Sequence, residues 1–305
     1  MRVTFLGTSA SQPTLRRNVS AIAVQRGGDT FLFDCGEGTQ RQMMRYGTGF
    51  GCVSIYVTHL HADHYLGITG LLRTMGLQGR TEPMSIYGPQ KSKLILDQIV
   101  ELGVGRVPFP VTVEELEPGD KVNYEGYHIA AFSVEHGVSA LGYALCEEER
   151  PGRFDVERAR RLGVPEGPLF SILHSGKPVE LNGRWIQPDE VVGPTRPGRK
   201  LVYTGDTRPN EMVKEMAEGA SLLIHEATFA EEERTRAEET QHSTAREAAV
   251  IARDAGVSGL LLTHISARYS DNPSSLLKEA QSVFPEAAVA RDGQVFEIPY
   301  EDGGR

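Results

Sequence analysis

Four side chains that can bind a metal ion lie within six residues of this chain, in the segment His59-Leu60-His61-Ala62-Asp63-His64. The segment follows the apolar run Val53-Ser54-Ile55-Tyr56-Val57 after one residue, Thr58, and such a run is typical of a buried β-strand. Side chains two residues apart leave an extended chain on the same side, so His59 and His61 can bind one ion. Asp63 and His64 stand where a helix can begin and can turn toward another. The spacing therefore favours two metal ions over one.

The ligand types in this motif favour a catalytic metal over a structural one. Imidazole nitrogen and carboxylate oxygen are the ligands of catalytic zinc sites, which keep one coordination position open for water. The motif contains no cysteine, which argues against a closed zinc finger. A lone histidine is more often an ordinary surface or core residue than a ligand, but this explanation does not account for four such side chains behind one strand.

Three more candidate ligands follow strand-like runs elsewhere in the chain. His136 comes after the run 129–134, Asp206 after 201–204 and His264 after 260–263. α/β folds place their chemistry at the carboxyl ends of strands, where each of these residues stands. Each alone could be a turn residue. Together with the first motif, the three complete two sets of ligands.

This arrangement resembles the metallo-β-lactamase superfamily, whose pattern is H-x-H-x-D-H, a distal histidine, a bridging aspartate and a last histidine. The resemblance implies an α/β fold, a four-layer αββα sandwich, and two zinc ions (Zn²⁺) in each subunit. It assigns His59, His61 and His136 to the first zinc, and Asp63, His64 and His264 to the second. Asp206 would bridge the two ions.

Four segments resemble a narrower family, ribonuclease Z, whose members trim the 3′ end of precursor tRNA. They are Phe5 to Asn18, His225-Glu226-Ala227-Thr228, His242-Ser243-Thr244 and His264 to Tyr269. The resemblance covers nearly the whole chain and fits the short form of the family. It implies precursor tRNA as the partner, a homodimer, and a cut that leaves a 3′-hydroxyl on the tRNA and a 5′-phosphate on the trailer. One departure is Leu15, which stands where the family's P-x-K-x-R-N loop has lysine.

The residues in these segments and in the first motif suggest roles in hydrolysis of one phosphodiester. Asp63 can orient the attacking water or take its proton, and His242, supported by Glu226, is the candidate acid for the leaving oxygen. Thr244-Ala245-Arg246-Glu247 also reads as a helix capping box, which is compatible with a reactive His242 just outside the helix. Arg17, Asn18 and Arg268 are candidates for substrate binding, with salt bridges as the alternative for the two arginines. His128 and His174 match no motif.

A basic segment breaks the acidic balance of the chain. The net charge is −9, yet residues Arg150 to Lys200 contain ten Lys and Arg against six Asp and Glu. Glycine and proline are dense there and predict a projecting arm, residues 150–198, with at most a short helix over Val156 to Leu162. Such segments are usually solvated insertions. In ribonuclease Z the corresponding insertion is an exosite that grips tRNA, and the resemblance implies this role for the arm.

The remaining pattern predicts a single domain, residues 1–305, that carries this insertion. The predicted strands lie at 3–7, 19–25, 30–34, 53–57, 111–114, 127–134, 200–204, 221–225, 259–263, 287–290 and 294–298. The predicted helices lie near 37–46, 63–76, 89–102, 210–217, 243–255 and 274–283. Three cysteines without a CxxC pair favour a reduced protein. No signal sequence or membrane-length apolar run is evident, so we expect a cytoplasmic protein that binds no membrane.

Two other functions compete with the nuclease. A small-molecule phosphodiesterase or arylsulfatase of the same superfamily would keep the metals, but it would have no use for a basic arm. A non-catalytic RNA-binding module would tolerate the loss of ligands, and none of the seven positions is lost.

Overall fold

The computed structural model describes residues 1–300. Its first half contains β1 (Arg2–Gly7), β2 (Ala21–Arg26), β3 (Asp29–Phe33), α1 (Thr39–Tyr46), β4 (Cys52–Tyr56), α2 (Ala62–Tyr65), α3 (Ile68–Leu77), β5 (Met84–Pro89), α4 (Lys93–Glu101), β6 (Val111–Leu116), β7 (Lys121–Tyr124), β8 (Tyr127–Ser133) and β9 (Leu141–Glu147). The second half contains α5 (Val156–Arg161), α6 (Pro168–His174), β10 (Val179–Leu181), β11 (Arg184–Ile186), β12 (Lys200–Tyr203), α7 (Glu211–Ala217), β13 (Leu222–Glu226), α8 (Arg234–Glu239), α9 (Ala245–Asp254), β14 (Leu260–Thr263), α10 (Ser274–Gln281), β15 (Ala288–Val289) and β16 (Val295–Glu297). Short 3-10 helices cover Pro188–Glu190, Glu231–Glu233 and Ala267–Tyr269.

Two seven-stranded mixed sheets make up most of the molecule. The first has the order β16-β1-β2-β3-β4-β5-β6, and the second has the order β15-β14-β13-β12-β9-β8-β7. Strands β3 to β6 run parallel to one another, as do β12 to β15. Parallel neighbours end at the same edge of a sheet, so the loops after β12, β13 and β14 come together.

A core rich in aromatic side chains joins the two sheets. Phe33 of the first sheet stacks on Tyr143 and Tyr203 of the second, with ring centroids 5.9 Å apart in both pairs. Tyr56 meets the Tyr143 ring edge-on at 5.2 Å. All four side chains are at most 1% exposed. Alternation along the strands sends one set of side chains into this core and the other toward the helices.

Helices cover the outer faces of both sheets. A second apolar cluster, which includes Met43, Leu71 and Leu96, joins α1, α3 and α4 to the first sheet. On the other side, α9 packs against β13 and β14 through its alanine-rich face. The four-layer αββα sandwich that the sequence predicts is therefore confirmed.

The element predictions were wrong for one helix and missed three strands within this sandwich. The predicted helix 63–76 is two helices, α2 and α3, which are separated at Leu66 and Gly67. A Cβ at Gly67 would lie 2.0 Å from the Gly36 carbonyl oxygen, so the chain passes this point only with glycine. Strands β5, β7 and β9 had not been predicted; β7 has only four residues, and β5 follows Pro83 and ends in Gly88-Pro89. No described helix is long and apolar enough to cross a bilayer.

Residues Cys146–Arg199, together with Tyr300, form a second compact unit, while Met1–Leu145 and Lys200–Pro299 form the first. The second unit has its own apolar core, which consists of Ala159, Val164, Leu173, Val179, Ile186 and Val191. It contains α5, α6 and the antiparallel hairpin β10–β11. The prediction of at most one short helix in the arm was therefore wrong, although α5 lies where that helix was expected.

Candidate metal centre

The seven predicted ligands come together at one edge of the sandwich. His59 and His61 lie in the loop after β4, and Asp63 and His64 belong to the short helix α2. His136, Asp206 and His264 follow β8, β12 and β14. The ligand atoms fall into overlapping groups that could each hold an ion, since within each group they lie within 4.8 Å of one another.

The first group contains three histidines and one aspartate. Nδ1 of His61 lies 2.9 Å from Nε2 of His59 and 3.2 Å from Nε2 of His136. Oδ2 of Asp206 lies 3.6 Å from the same His59 nitrogen and 4.0 Å from that of His136. Burial, followed by the charge of His64, lowers the pKa of His59 well below its usual value. A neutral imidazole of this kind can bind a cation through its free nitrogen.

The second group consists of Asp63, His64 and His264 and lies against Asp206 of the first. Nε2 of His264 lies 3.3 Å from Oδ2 of Asp63 and 3.3 Å from Oδ1 of Asp206. Nε2 of His64 lies 3.5 Å from Oδ2 of Asp63 and 3.4 Å from Oδ2 of Asp206. Burial raises the pKa of both carboxyls, but the neighbouring histidines outweigh it and hold each pKa below its usual value. The Asp206 carboxylate therefore borders both groups, as the bridging position requires.

Two buried atoms in this cluster test whether these residues fit a cation. Nε2 of His64 and Oδ1 of Asp206 have no hydrogen-bond partner among the described residues. Leaving a buried polar atom unpaired costs about 1–3 kcal/mol, and more for a charged group. A divalent cation would satisfy both atoms at once. The donor set, nitrogen and carboxylate oxygen without thiolate, also suits a catalytic metal ion.

Asp34, which the sequence analysis missed, fixes the orientation of His64. Its Oδ2 accepts hydrogen bonds from Nδ1 of His64 and from the Tyr203 hydroxyl, both at 2.8 Å. Its Oδ1 accepts from the Thr58 amide at 2.8 Å. A proton held on Nδ1 leaves the lone pair of Nε2 free for a metal. Asp34 directly follows the apolar run Phe31-Leu32-Phe33, and the strand-end signal that identified Asp206 could have identified it.

Four residues in or beside the metal cluster adopt a left-handed backbone, namely Ser11, Asp34, Gln241 and His264. Ser11 has φ 59°, and its amide donates to Oδ2 of Asp63 at 2.8 Å. His264 has φ 54°, a value that costs energy for a side chain of this size. The fold keeps the conformations of Ser11 and His264 at the point where each of the two reaches the second metal group.

His242 and the buried Glu226 form a pair beside the ligands. Nδ1 of His242 lies 2.8 Å from Oε1 of Glu226 and 4.0 Å from Oδ2 of Asp206. Burial lowers the pKa of His242, but the Glu226 carboxylate more than offsets this and raises the pKa to about 9. Glu226 therefore favours the protonated imidazole. The capping box is also present, because Thr244 accepts from the Glu247 amide and Glu247 accepts from the Thr244 amide.

The three predicted substrate-binding residues outside the arm each bind other residues of the chain. Arg17 is 4% exposed, and its guanidinium donates to the Thr8 hydroxyl and the Ala290 carbonyl, so the structure does not place it for a phosphate contact. Asn18 bridges to the Glu37 carbonyl and to Asp292. Arg268 forms an ion pair with Glu233 at 2.7 Å, which is the alternative that the sequence left open.

Comparisons with known proteins agree with this geometry. Residues 1–150 match a family model described as anti-Pycsar protein Apyc1, and residues 182–265 match a β-lactamase superfamily domain. The chain is 54% identical over 304 residues to ribonuclease Z of Myxococcus xanthus, which covers 99% of both chains. It is 56% identical over 299 residues to ribonuclease Z of Gemmatimonas aurantiaca, which covers 97% of this chain and 95% of that one. The chain belongs to the ribonuclease Z family.

A solved structure extends the family likeness to the fold. The human short-form tRNase Z superposes with a TM-score of 0.72 at 28% identity, over 98% of this chain and all of that one. The metallo-β-lactamase fold and the family resemblance that the sequence predicts are thus confirmed. The fold and the histidine–aspartate groups together imply a divalent metal in this member of the family.

Proposed function

We propose that this ribonuclease Z family member uses two zinc ions to remove the 3′ trailer from precursor tRNA. The chain is an endoribonuclease of tRNA 3′-end processing, as its full-length likeness to ribonuclease Z indicates. The observation that carries the proposal is the meeting of seven ligands around Asp206, with His242 beside them. His59, His61, His136 and Asp206 would hold the first zinc, and Asp63, His64, His264 and Asp206 the second.

The chain's own residues orient the attack on the phosphodiester. When bound, the two metal ions supply an activated water and positive charge beside the scissile phosphate. Asp63, whose Oδ2 is held by the Ser11 amide, orients that water and accepts its proton. The water oxygen bonds to phosphorus as the bond from phosphorus to the 3′ oxygen breaks.

His242 acts on the leaving oxygen. Its Nδ1 is occupied by Glu226, which leaves Nε2 to donate a proton to the departing 3′ oxygen. The products are then a tRNA with a free 3′-hydroxyl and a trailer with a 5′-phosphate. The RNA 2′-hydroxyl takes no part, so the proton balance closes with one water, Asp63 and His242.

The arm, residues Arg150 to Lys200, is proposed as the exosite for tRNA. The basic side chains of Arg158, Arg161 and Lys177 are exposed. Trp185, the only tryptophan of the chain, is 57% exposed on β11. Cations neutralise phosphates, and an exposed indole can stack on a base, so both suit an RNA partner better than a small diester.

A homodimer in a reducing cytoplasm completes the proposal. Leu77, Leu102 and Val104 are 90%, 58% and 102% exposed. Arg73 of α3 donates to the Leu102 carbonyl, so the segment after α4 lies beside α3. Exposed apolar patches of this kind mark protein contacts. Leu77→Glu should shift the mass measured by sedimentation equilibrium toward the monomer, and an unchanged mass would place the interface elsewhere. The three free cysteines are consistent with a reducing compartment.

The decisive experiment is cleavage of a labelled precursor tRNA with the cut mapped to the nucleotide. We expect one cut at the 3′ end of the tRNA, and its absence would favour the small-molecule phosphodiesterase or arylsulfatase alternative.

Replacing the segment from Gly152 to Gly193 by a short Gly/Ser linker tests the role of the arm. A Cβ at Gly152 would lie 1.9 Å from the Gly193 carbonyl oxygen, so the two ends are already adjacent.

The deletion removes the whole apolar core of the second unit and no metal ligand. Cleavage of bis-p-nitrophenyl phosphate should therefore persist. Cleavage of precursor tRNA should collapse through weaker binding, and the remaining binding should depend less steeply on salt. Equal losses on both substrates would show that the arm only supports the fold, and full retention of tRNA cleavage would make it a solvated insertion.

A further inference from the structure

The Thr228 hydroxyl lies between the acid pair and the second metal group. Its Oγ1 is 2.6 Å from Oε2 of Glu226 and 3.0 Å from Nδ1 of His264. The residue is 4% exposed, so water does not compete freely for these bonds. A hydroxyl has one hydrogen to donate and two lone pairs to accept with. The direction of each bond can therefore be worked out from its neighbours.

Glu226 decides where the Thr228 hydrogen goes. Its side chain also accepts from the Thr207 amide at 3.0 Å, the Thr228 amide at 3.2 Å and Nδ1 of His242 at 2.8 Å. Donors on every side favour an ionised carboxylate, which can only accept. The Thr228 hydroxyl thus donates to Oε2 at 2.6 Å, which is nearer than the other possible acceptors, Nδ1 of His264 at 3.0 Å, the His264 carbonyl at 3.2 Å and Nδ1 of His242 at 3.4 Å.

The lone pairs of Thr228 then fix the tautomer of His264. With its hydrogen committed to Glu226, Oγ1 accepts from Nδ1 of His264. The proton of His264 is held on Nδ1, and the lone pair stays on Nε2, the atom that lies 3.3 Å from both Asp63 and Asp206. Asp34 does the same for His64 by direct contact, whereas His264 is connected to its carboxylate through a hydroxyl.

We infer that Thr228 is a positioning residue that lets the single carboxylate of Glu226 orient both the acid His242 and the metal ligand His264. One oxygen of Glu226 holds His242, and the other holds His264 through Thr228. The inference deepens the proposed function and rests on it for the role of His242. The part that concerns metal binding depends only on His264 and can be tested without any substrate.

The test compares Thr228→Val, which keeps the shape and removes the hydroxyl, with Thr228→Ser, which keeps the hydroxyl. The matched control is Thr39→Val, because Thr39 is also buried and its hydroxyl donates to the Gly36 carbonyl at 2.7 Å rather than to a carboxylate. Zinc affinity is measured by competition with a chromogenic chelator. Loss of a partner that orients a ligand typically weakens metal binding by about 10–100-fold. We expect a loss of this size in Thr228→Val, and values near wild type in Thr228→Ser and Thr39→Val.

A second measurement, of cleavage rates, tests the effect of Thr228 on the proposed acid, His242. At saturating zinc, Thr228→Val should cut precursor tRNA more slowly, through kcat, while bis-p-nitrophenyl phosphate, whose leaving group needs no proton, should be hydrolysed at close to the wild-type rate. The inference is overturned if Thr228→Val binds zinc like wild type, or if Thr228→Ser is as defective as Thr228→Val, since packing alone would then explain the position. If the wild-type protein cut no precursor tRNA, the proposed function would fail, but the zinc titrations would still decide the role of Thr228.

Discussion

Replacing His242 by alanine separates proton donation from every other step of the proposed reaction. The side chain makes one hydrogen bond to a carboxylate, with Glu226 at 2.8 Å, and its ring stacks on His264 with centroids 5.3 Å apart. The backbone of residue 242 is held independently, because its amide donates to the Ala237 carbonyl and its carbonyl accepts from Arg208. The side chain is 12% exposed, so water can fill the space that it leaves. We therefore expect His242→Ala to fold and to bind zinc.

The expected loss of activity is large and depends on the substrate. A positioned proton donor is worth roughly 10²–10⁴-fold in rate, which corresponds to about 3–5 kcal/mol of barrier. Precursor tRNA cleavage should fall by that factor, because the 3′ oxygen leaves poorly without a proton. Bis-p-nitrophenyl phosphate should be hydrolysed almost normally, since nitrophenolate leaves unprotonated. His128→Ala, at the opposite end of β8 from His136, is the matched control and should change neither rate.

A sulfur substitution makes the same test inside the natural substrate. A precursor tRNA with sulfur in place of the scissile 3′ oxygen keeps all RNA contacts but has a leaving atom that departs as a thiolate. The defect of His242→Ala relative to wild type should shrink on this substrate. An equally large defect with oxygen and sulfur would refute the assignment and show that His242 holds the RNA or the helix entry instead.

Three further predictions concern the metal ligands and the thiols. Asp206→Ala should lower the zinc content measured by elemental analysis and abolish cleavage of both precursor tRNA and bis-p-nitrophenyl phosphate, because Asp206 borders both metal groups. Full activity with unchanged zinc content would exclude the bridging role. Asp34→Asn would place an amide group against the donors of His64 or Tyr203. It should therefore weaken zinc binding by about 10–100-fold in chelator competition and lower the free energy of unfolding in urea by about 1–3 kcal/mol. Wild-type values for both quantities would show that the charge of Asp34 is dispensable. Burial raises the pKa of Cys52 to about 12 and also raises that of Cys35, so both thiols stay protonated at pH 8. Alkylation of the native protein should then add one group, at the partly exposed Cys146, and an intact mass with two or three rapid adducts would contradict the buried positions.

The metal ligands could be predicted because their signals are local. His59 to His64 form one short motif, and His136, Asp206 and His264 each follow an apolar run within two residues. The fold brings these strand ends to one edge, so position along the chain was enough to find them. The capping box at Thr244 was predictable for the same reason, because it involves residues within one helical turn.

The contacts that orient the ligands could not be predicted in this way. Tyr203 and Asp34 are 169 positions apart in the chain, and Thr228 and His264 are 36 apart. Arg17 lies in a loop that looks basic and exposed, yet the fold buries its guanidinium against the carbonyl of Ala290, 273 positions away. Such pairs have no spacing rule, since the packing of both sheets decides which side chains meet.

The structure of the arm was mispredicted for a different reason. Its glycines and prolines correctly indicated short elements, but a reading based on them overlooked the apolar residues that lie between them. Val179 and Ile186 face each other across the β10–β11 hairpin and are at most 5% exposed, in a segment that the composition describes as solvated. A few buried side chains in short elements are enough for a small core, and composition averages over them.

Burial also limits how a substrate can approach the metal centre. The side chains of His59, His64, His136 and His264 are at most 3% exposed, and those of Asp63 and Asp206 at most 8%. His61 is exposed, and the His242 side chain is 12% exposed. A phosphodiester too large to enter the protein must therefore reach the ligands from the side that His61 and His242 share. On that side, among the described residues, His242 is held by a carboxylate and is not a proposed metal ligand, which is what the proposed role as proton donor for the leaving oxygen requires.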